Sequence, residues 1–233
     1  MTTDTKARIL DAAEARFSEQ GYAATSLRDI TTLAGANLAS VNYYFGSKED
    51  LLKAVFQRLV VPVNNERLRL LDEAEAKAGH GPLDVEPVVR AFLGPAFRIA
   101  PEGQFMQLVG RMHSETDSNF RDVFLRLFVE VAQRFGAALG RALPDLETEE
   151  VMSRLHFMIG SLAHTQVRLR CGGKVLPPHA QEQHELLEAL TRFAVAGMRA
   201  AGPQSGATVR ATKSSRRGHG RATRGPYLTG ERA

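Results

Sequence analysis

Over residues 7–60 apolar side chains recur three and four positions apart, and the two-residue alternation of β-branched side chains that marks strands is almost absent. Ile9, Leu10, Ala13 and Phe17 form the apolar face of a first helix, which Gly21 ends. Ser26 opens a short second helix, and Asp29 three positions later completes a capping box that satisfies two backbone donors. Leu27, Ile30 and Leu33 are expected to point inward. Gly35 stops this helix, and after Ala36 and Asn37 the chain resumes as Leu38 to Phe45, so two short helices cross steeply around a tight turn. Val41 and Phe45, four apart, anchor the third helix on Ile9, Phe17, Leu27 and Ile30, which leaves Ser40, Asn42, Tyr43 and Tyr44 facing outward or sideways. Gly46 and Ser47 end it. Ser47 and Asp50 then repeat the capping pattern for a fourth helix that starts at Lys48 and carries Leu51, Leu52, Val55, Phe56 and Leu59. Pro62 predicts a kink in it.

Further helices are expected over about 85–99, 103–114, 117–142, 147–170 and 180–200, with Gly94-Pro95 predicting a second kink. No internal repeat is present. After Gly202-Pro203 the residues are mainly Gly, Ser, Thr and Arg, a composition that predicts disorder. The fold class read from this pattern is all-α. A three-helix helix-turn-helix domain occupies 1–47, a larger helical domain 48–201, and a basic disordered tail 202–233.

Composition narrows the class. A chain of 233 residues buries enough surface to stand without disulfides, and its one cysteine, Cys171, has no partner within the chain. That excludes a disulfide scaffold or a Cys-rich zinc module and fits a reducing cytosol. No stretch of about 18 uncharged apolar residues occurs, and the polar start with Asp4 is unlike a secretory signal, so a cytoplasmic protein without a membrane partner is expected. The net charge of +4 resides in the tail, where residues 202–233 hold seven Lys or Arg against Glu231 alone. The preceding 201 residues carry 23 basic and 25 acidic side chains. DNA binding by the folded part must therefore rest on particular residues.

A short polar helix after a tight turn has the form that enters a major groove about 12 Å wide. Asn42 is the first candidate for reading a base, since an amide side chain bonds both N6 and N7 of adenine. Phosphates would be held at helix starts, where backbone N–H groups are unpaired: Thr25, Ser26 and Arg28 at one, Ser47 and Lys48 at another, with hydroxyl contacts from Tyr43 and Tyr44. Other readings stand beside these. Helix-turn-helix geometry occurs in many folds, Tyr43 or Tyr44 could pack on the fourth helix, and Arg28 could be a solvated charge.

Residues 7–53, ARILDAAEARFSEQGYAATSLRDITTLAGANLASVNYYFGSKEDLLK, closely resemble the N-terminal DNA-binding domain of the TetR family of bacterial transcriptional regulators. The resemblance rests on ILDAAEARF, GYAATSLRDI, AG and YYFGSKEDLL at their spacings and covers about a fifth of the chain. It implies that Thr25, Ser26 and Arg28 lie at the phosphate-touching helix start, that Leu38, Ala39, Ser40 and Asn42 lie on the groove face, and that Tyr43, Tyr44 and Lys48 match backbone-contacting positions. The family commonly has Tyr where this chain has Asn42, so base preference there does not transfer. The segments NLASVNYYFGSK, LHFMIGS and AVAGMRA further resemble the fatty-acid-responsive PsrA subgroup. The resemblance implies a repressor, double-stranded operator DNA and a second copy of the chain as partners, and an effector held in the second domain.

The larger half supplies Phe92, Phe97, Met106, Phe124, Phe128 and Phe157 as candidate apolar lining, residues that a plain core also needs. Arg98, Arg111, His113 and His164 are candidates for a carboxylate head group, although each could also be a surface charge or a satisfied polar residue. A long-chain acyl effector is expected, with a drug or aromatic compound as the alternative. Gly160 and Ala163 on one helix, and Leu186, Leu190, Phe193 and Gly197 on another, are candidates for a four-helix contact across a twofold axis. His156 and His164 are eight apart without a tight acidic cluster, so no metal site is expected, and no cofactor. An all-helical enzyme is the competing class. It lacks a Gly-x-Ser-x-Gly elbow and a phosphate-cradling glycine loop, and Cys171 beside Gly172-Gly173 is its one redox hint.

Overall fold

The computed structural model describes residues 2–98, 125–170 and 183–202. The described residues form eight helices: α1 (Thr2–Gln20), α2 (Leu27–Ala34), α3 (Leu38–Phe45), α4 (Lys48–Ala78), α5 (Val85–Arg98), α6 (Val129–Ala142), α7 (Thr148–Arg170) and α8 (Gln183–Arg199). The chain is all-α, as the periodicity predicts. The expected helix at 103–114, the first part of 117–142, the Cys171 loop and the tail lie outside the described residues, as do Met106, Arg111, His113 and Phe124.

Local chemistry sets the short helices. Ser26 caps α2 by accepting from the Asp29 N–H at 3.2 Å, and Asp29 Oδ2 accepts from the Ser26 N–H at 3.0 Å. Gly35 ends α2 at φ 57°, a left-handed conformation that a side chain disfavours, and its N–H is directed at Thr31 and Thr32 carbonyls. Arg8 of α1 donates to Ala34 O at 2.9 Å and so caps the same end. Asn37 and Ser47 cap α3 and α4 by accepting from Ser40 and Asp50 N–H groups at 2.8 and 3.0 Å.

One inward expectation fails. The buried face of α2 is Ile30, Thr31 and Ala34, with Leu27 packed beside it, whereas Leu33 is exposed. The run 27, 30, 31, 34 follows the helical stripe, and position 33 falls on its far side.

Helix α4 continues through Pro62, which is exposed, and α5 continues through Gly94-Pro95. Two apolar clusters share α4. The first joins Ile9, Phe17, Ile30 and Val41 to Leu51, Leu52, Val55, Phe56, Leu59 and Val60, so the opening turns of α4 complete the N-terminal core. The second joins Leu71 to residues of α5, α6, α7 and α8. The expected single helix over 117–142 is interrupted by a turn at Leu127 and Phe128 just before α6. Leu127 O there accepts from Asn64 Nδ2 of α4 at 2.8 Å.

Candidate nucleic-acid interface and helical effector domain

Helix α3 is held by one side and open on the other. Val41 is fully buried, and Tyr44 and Phe45 lie half-buried against the N-terminal core. Leu38, Ala39, Asn42 and Tyr43 are exposed, and their i, i+4 spacing sets them on one face, with Ser40 half-buried at its margin. Tyr43 is 82% exposed, and its ring meets the Tyr44 ring edge-on at 5.0 Å. The short, rigid, polar rod that sequence spacing predicts is thus present, with Asn42 at its centre.

Two flanking residues are placed differently from expectation. Thr25 is only 1% exposed, and its hydroxyl is directed at Gly21 O at 2.7 Å and Arg16 O at 3.1 Å. It braces the α1–α2 connection, and its side chain does not face outward for phosphate. The reason is local: Gly21 turns the chain at φ 85°, and its carbonyl needs a donor there. Lys48 is half-buried, donates from Nζ to Tyr22 O at 2.6 Å and lies 4.3 Å from the Tyr22 ring centroid. These internal partners offset its unfavourable place at a helix start. Ser26 and Arg28 are exposed at the opening of α2, and the Ser26 hydroxyl donates to Asp29 Oδ2 at 2.6 Å. Lys6 was missed by sequence reasoning. It is exposed, and its ammonium comes within 5.9 Å of the Phe45 ring, bringing an α1 cation beside α3.

A chain of polar contacts leads away from this surface. Arg58 of α4 pairs with Asp11 at 2.6 Å and with the buried Glu14, both on α1. Arg8 on the same helix caps α2 at the turn before α3.

In the second half Phe92 is buried and meets Phe135 edge-on at 5.1 Å, while Phe97 is half-buried against the same core. Phe128 is half-buried too but packs against the N-terminal cluster. Phe157 is 68% exposed and His164 is exposed, so neither faces the interior of the chain, contrary to expectation. Both sit on the outer side of α7, whose inward stripe is Val151, Leu155, Met158 and Leu162.

The expected dimer residues divide as well. Leu186 and Leu190 are buried within their own chain, and Ala163 is half-buried beside the N-terminal cluster. Gly160 and Gly197 are exposed, with open space where a Cβ would point, and Phe193 is 67% exposed. An outward strip remains: His156, Phe157 and Gly160 on α7, with Ala189, Phe193, Ala196 and Gly197 on α8.

Three buried polar residues organise this half and were not anticipated. Arg154 pairs with Glu150 at 2.8 Å and donates to Met198 and Ala200 carbonyls at 2.8 and 2.6 Å, so it caps α8 and ties it to α7. Gln166 donates to Ala96 O at 3.3 Å. Arg67 of α4 is 4% exposed and donates from Nε to Phe92 O at 2.9 Å and from Nη1 to Asn64 Oδ1 at 3.1 Å. Its guanidinium lies 4.2 Å from the Phe92 ring centroid, and burial lowers its pKa to about 10. Among the described residues no three His, Cys, Asp or Glu side chains gather as a metal site would require, and no helix is long and apolar enough to cross a membrane.

The fold and site define a helix-turn-helix protein with a larger helical second half. Residues 9–55 match the family described as "Bacterial regulatory proteins, tetR family", and residues 90–197 match "Tetracyclin repressor-like, C-terminal domain". With both parts matched in order, the chain belongs to the TetR family. Over 70 residues it is 41% identical to the HTH-type transcriptional dual regulator CecR of Shigella flexneri, covering 30% of this chain and 31% of that protein. Over 72 residues it is 38% identical to the HTH-type transcriptional repressor NicS of Pseudomonas putida, covering 30% and 34%. The chain thus spans about a third of the length of these relatives in the matched region. Its fold is like that of the fatty acid degradation regulator FadR from Bacillus halodurans, with a TM-score of 0.60 at 17% identity over 84% of this chain and 97% of that one.

Proposed function

We propose that this chain is a ligand-controlled transcriptional repressor that binds a near-palindromic DNA operator as a homodimer and is released by a hydrophobic effector. The observation that carries the reading is the exposed face of α3, with Asn42 and Tyr43 projecting from a helix locked on Val41. A helix of this size fits a major groove, and two copies about 34 Å apart would read successive grooves on one side of the duplex. Ser26 and Arg28 would fix the register on phosphates, and the exposed ammonium of Lys6 near Phe45 would add a cation close to α3. The outward strip on α7 and α8, with two phenylalanines more than half exposed, suits a twofold contact with a second copy.

The effector proposed is a long-chain fatty acid or acyl derivative. Support comes from the PsrA-like segments and from a fold shared with a regulator named for fatty acid degradation. The interior around Phe92, Phe97 and Phe135 is apolar, as an acyl tail requires. Release follows if the effector binds more tightly to the dimer whose heads are misplaced, since a ligand shifts an equilibrium only through that difference in affinity. Helix α4 would carry the change through Arg58 to α1 and through Arg8 to the turn before α3.

The test is a gel shift on the DNA upstream of the chain's own gene, with and without palmitoleate or palmitoyl-coenzyme A. Specific retardation that either ligand abolishes supports the full reading. Retardation indifferent to both removes the acyl switch, and lack of retardation removes the regulator.

A further inference from the structure

We infer that Arg67 is the effector domain's anion-binding group, the cation that receives the carboxylate of an acidic amphiphile. The inference rests on the effector-controlled reading above and adds to it the residue that receives the acidic head of the acyl ligand.

Two arginines are buried among the described residues, Arg67 and Arg154. Arg154 has Glu150 and the carbonyl-rich end of α8 to balance its charge, a setting that accounts for it as a structural clamp. Arg67 has neither. Its partners among the described residues are a backbone carbonyl, an amide oxygen and an aromatic face, all of them neutral, and none is an Asp or Glu. Neighbouring Glu66 is directed to Arg69 and Arg98. A guanidinium has five N–H donors, and these two bonds use one on Nε and one on Nη1, with Nη2 taking part in neither. Desolvation with no countercharge is why the pKa of this group is lowered, and a bound carboxylate would supply that countercharge.

Position supports the same conclusion. Arg67 lies on α4 against Phe92, a member of the apolar cluster of the second half. Through Asn64 it is bonded to Leu127 O, and Leu127 packs against the N-terminal core. A carboxylate at Arg67 would draw on the guanidinium that holds Asn64, and so reach the junction between the two clusters. Of the earlier candidates for this role, His164 faces outward.

The test uses the full chain with palmitoleate and methyl palmitoleate, below their aggregation concentrations, read by thermal shift without DNA and by release from operator DNA. For the unaltered chain the acid should act at a concentration lower than the ester by about tenfold or more, as a charge-assisted hydrogen-bonded pair implies. Arg67→Met should erase that preference by weakening the acid while leaving the ester's effect in place. An ester as effective as the acid on the unaltered chain, or an Arg67→Met variant that keeps the preference, overturns the role of Arg67 while the hydrophobic-effector reading stands. Silence toward both probes in both assays overturns the two readings together. If Arg67→Met does not fold, Arg67→Gln, which keeps an N–H donor at this position, is read in its place: loss of the preference for the acid supports the role of Arg67, and its retention overturns it.

Discussion

Replacing Thr25 by Val separates a structural role from a DNA contact at one position. The side chains have nearly the same shape, so the packing at this site, 1% exposed, changes only where the new methyl must move back from Gly21 O. What is lost is a hydroxyl donor shared between Gly21 O at 2.7 Å and Arg16 O at 3.1 Å. Arg16 lies within α1, whereas Gly21 O sits past its end, so the Gly21 carbonyl suffers most. Removing one partner of a buried neutral hydrogen bond costs about 1–2 kcal/mol. With a urea dependence of about 2 kcal/mol per molar, the unfolding midpoint should fall by roughly 0.5–1 M at fixed protein concentration. Operator affinity measured well below the transition should change by less than about threefold, since the hydroxyl faces the interior. An unchanged midpoint with operator affinity lowered about tenfold or more would refute the placement of Thr25 and restore it as a phosphate contact.

Three further outcomes follow from the same geometry. Asn42→Ala should leave the unfolding midpoint within experimental error, because the side chain is exposed, and should cost about 1–3 kcal/mol of operator affinity while relaxing preference at one base pair, checked by binding to single-substituted operators. Phe193→Glu should leave each chain folded on its inward Leu190 and Ala194 but weaken self-association by about tenfold or more, read by sedimentation over a concentration series; an unchanged dimer would contradict the proposed α7–α8 contact. The Ser26 hydroxyl and N–H hold Asp29 below the ordinary carboxylate value, and the Ser47 hydroxyl, then Lys53, do the same for Asp50. A depressed folded-state value means stability present above the unfolded-state value and lost as pH falls through the folded one, so acid unfolding curves of Ser26→Ala and Ser47→Ala should show a smaller loss across that window than the unaltered chain.

Features fixed by neighbours in sequence were legible before the structure. The caps at Ser26 and Ser47, the stop at Gly35 and the rod from Leu38 to Phe45 each depend on residues within four positions, and each is found where spacing placed it. Side chains whose partners lie far along the chain were not legible. Lys48 reads as a misplaced cation until Tyr22, 26 residues away, is brought against it, and nothing close to Arg67 in the sequence marks it before Phe92, 25 residues on, meets it. Periodicity also marks a stripe without saying where it ends. On α8 the residues Leu190 and Phe193 are three apart and look equivalent, yet the inward set is Leu186, Leu190, Ala194 and Met198, and Phe193 falls on the outer edge. The same ambiguity misplaced Leu33 on α2 and Phe157 on α7.

The central claim is that the open face of α3 meets base edges. It is tested most directly by Asn42→Cys in a Cys171→Ser background, carrying a short photo-crosslinker and bound to the upstream DNA of the chain's own gene. The account predicts crosslinks to bases at two symmetric positions about one helical turn apart, and none from a probe placed at Phe157 on the far strip. Absence of base crosslinks from position 42 on DNA that the protein demonstrably retains would contradict it.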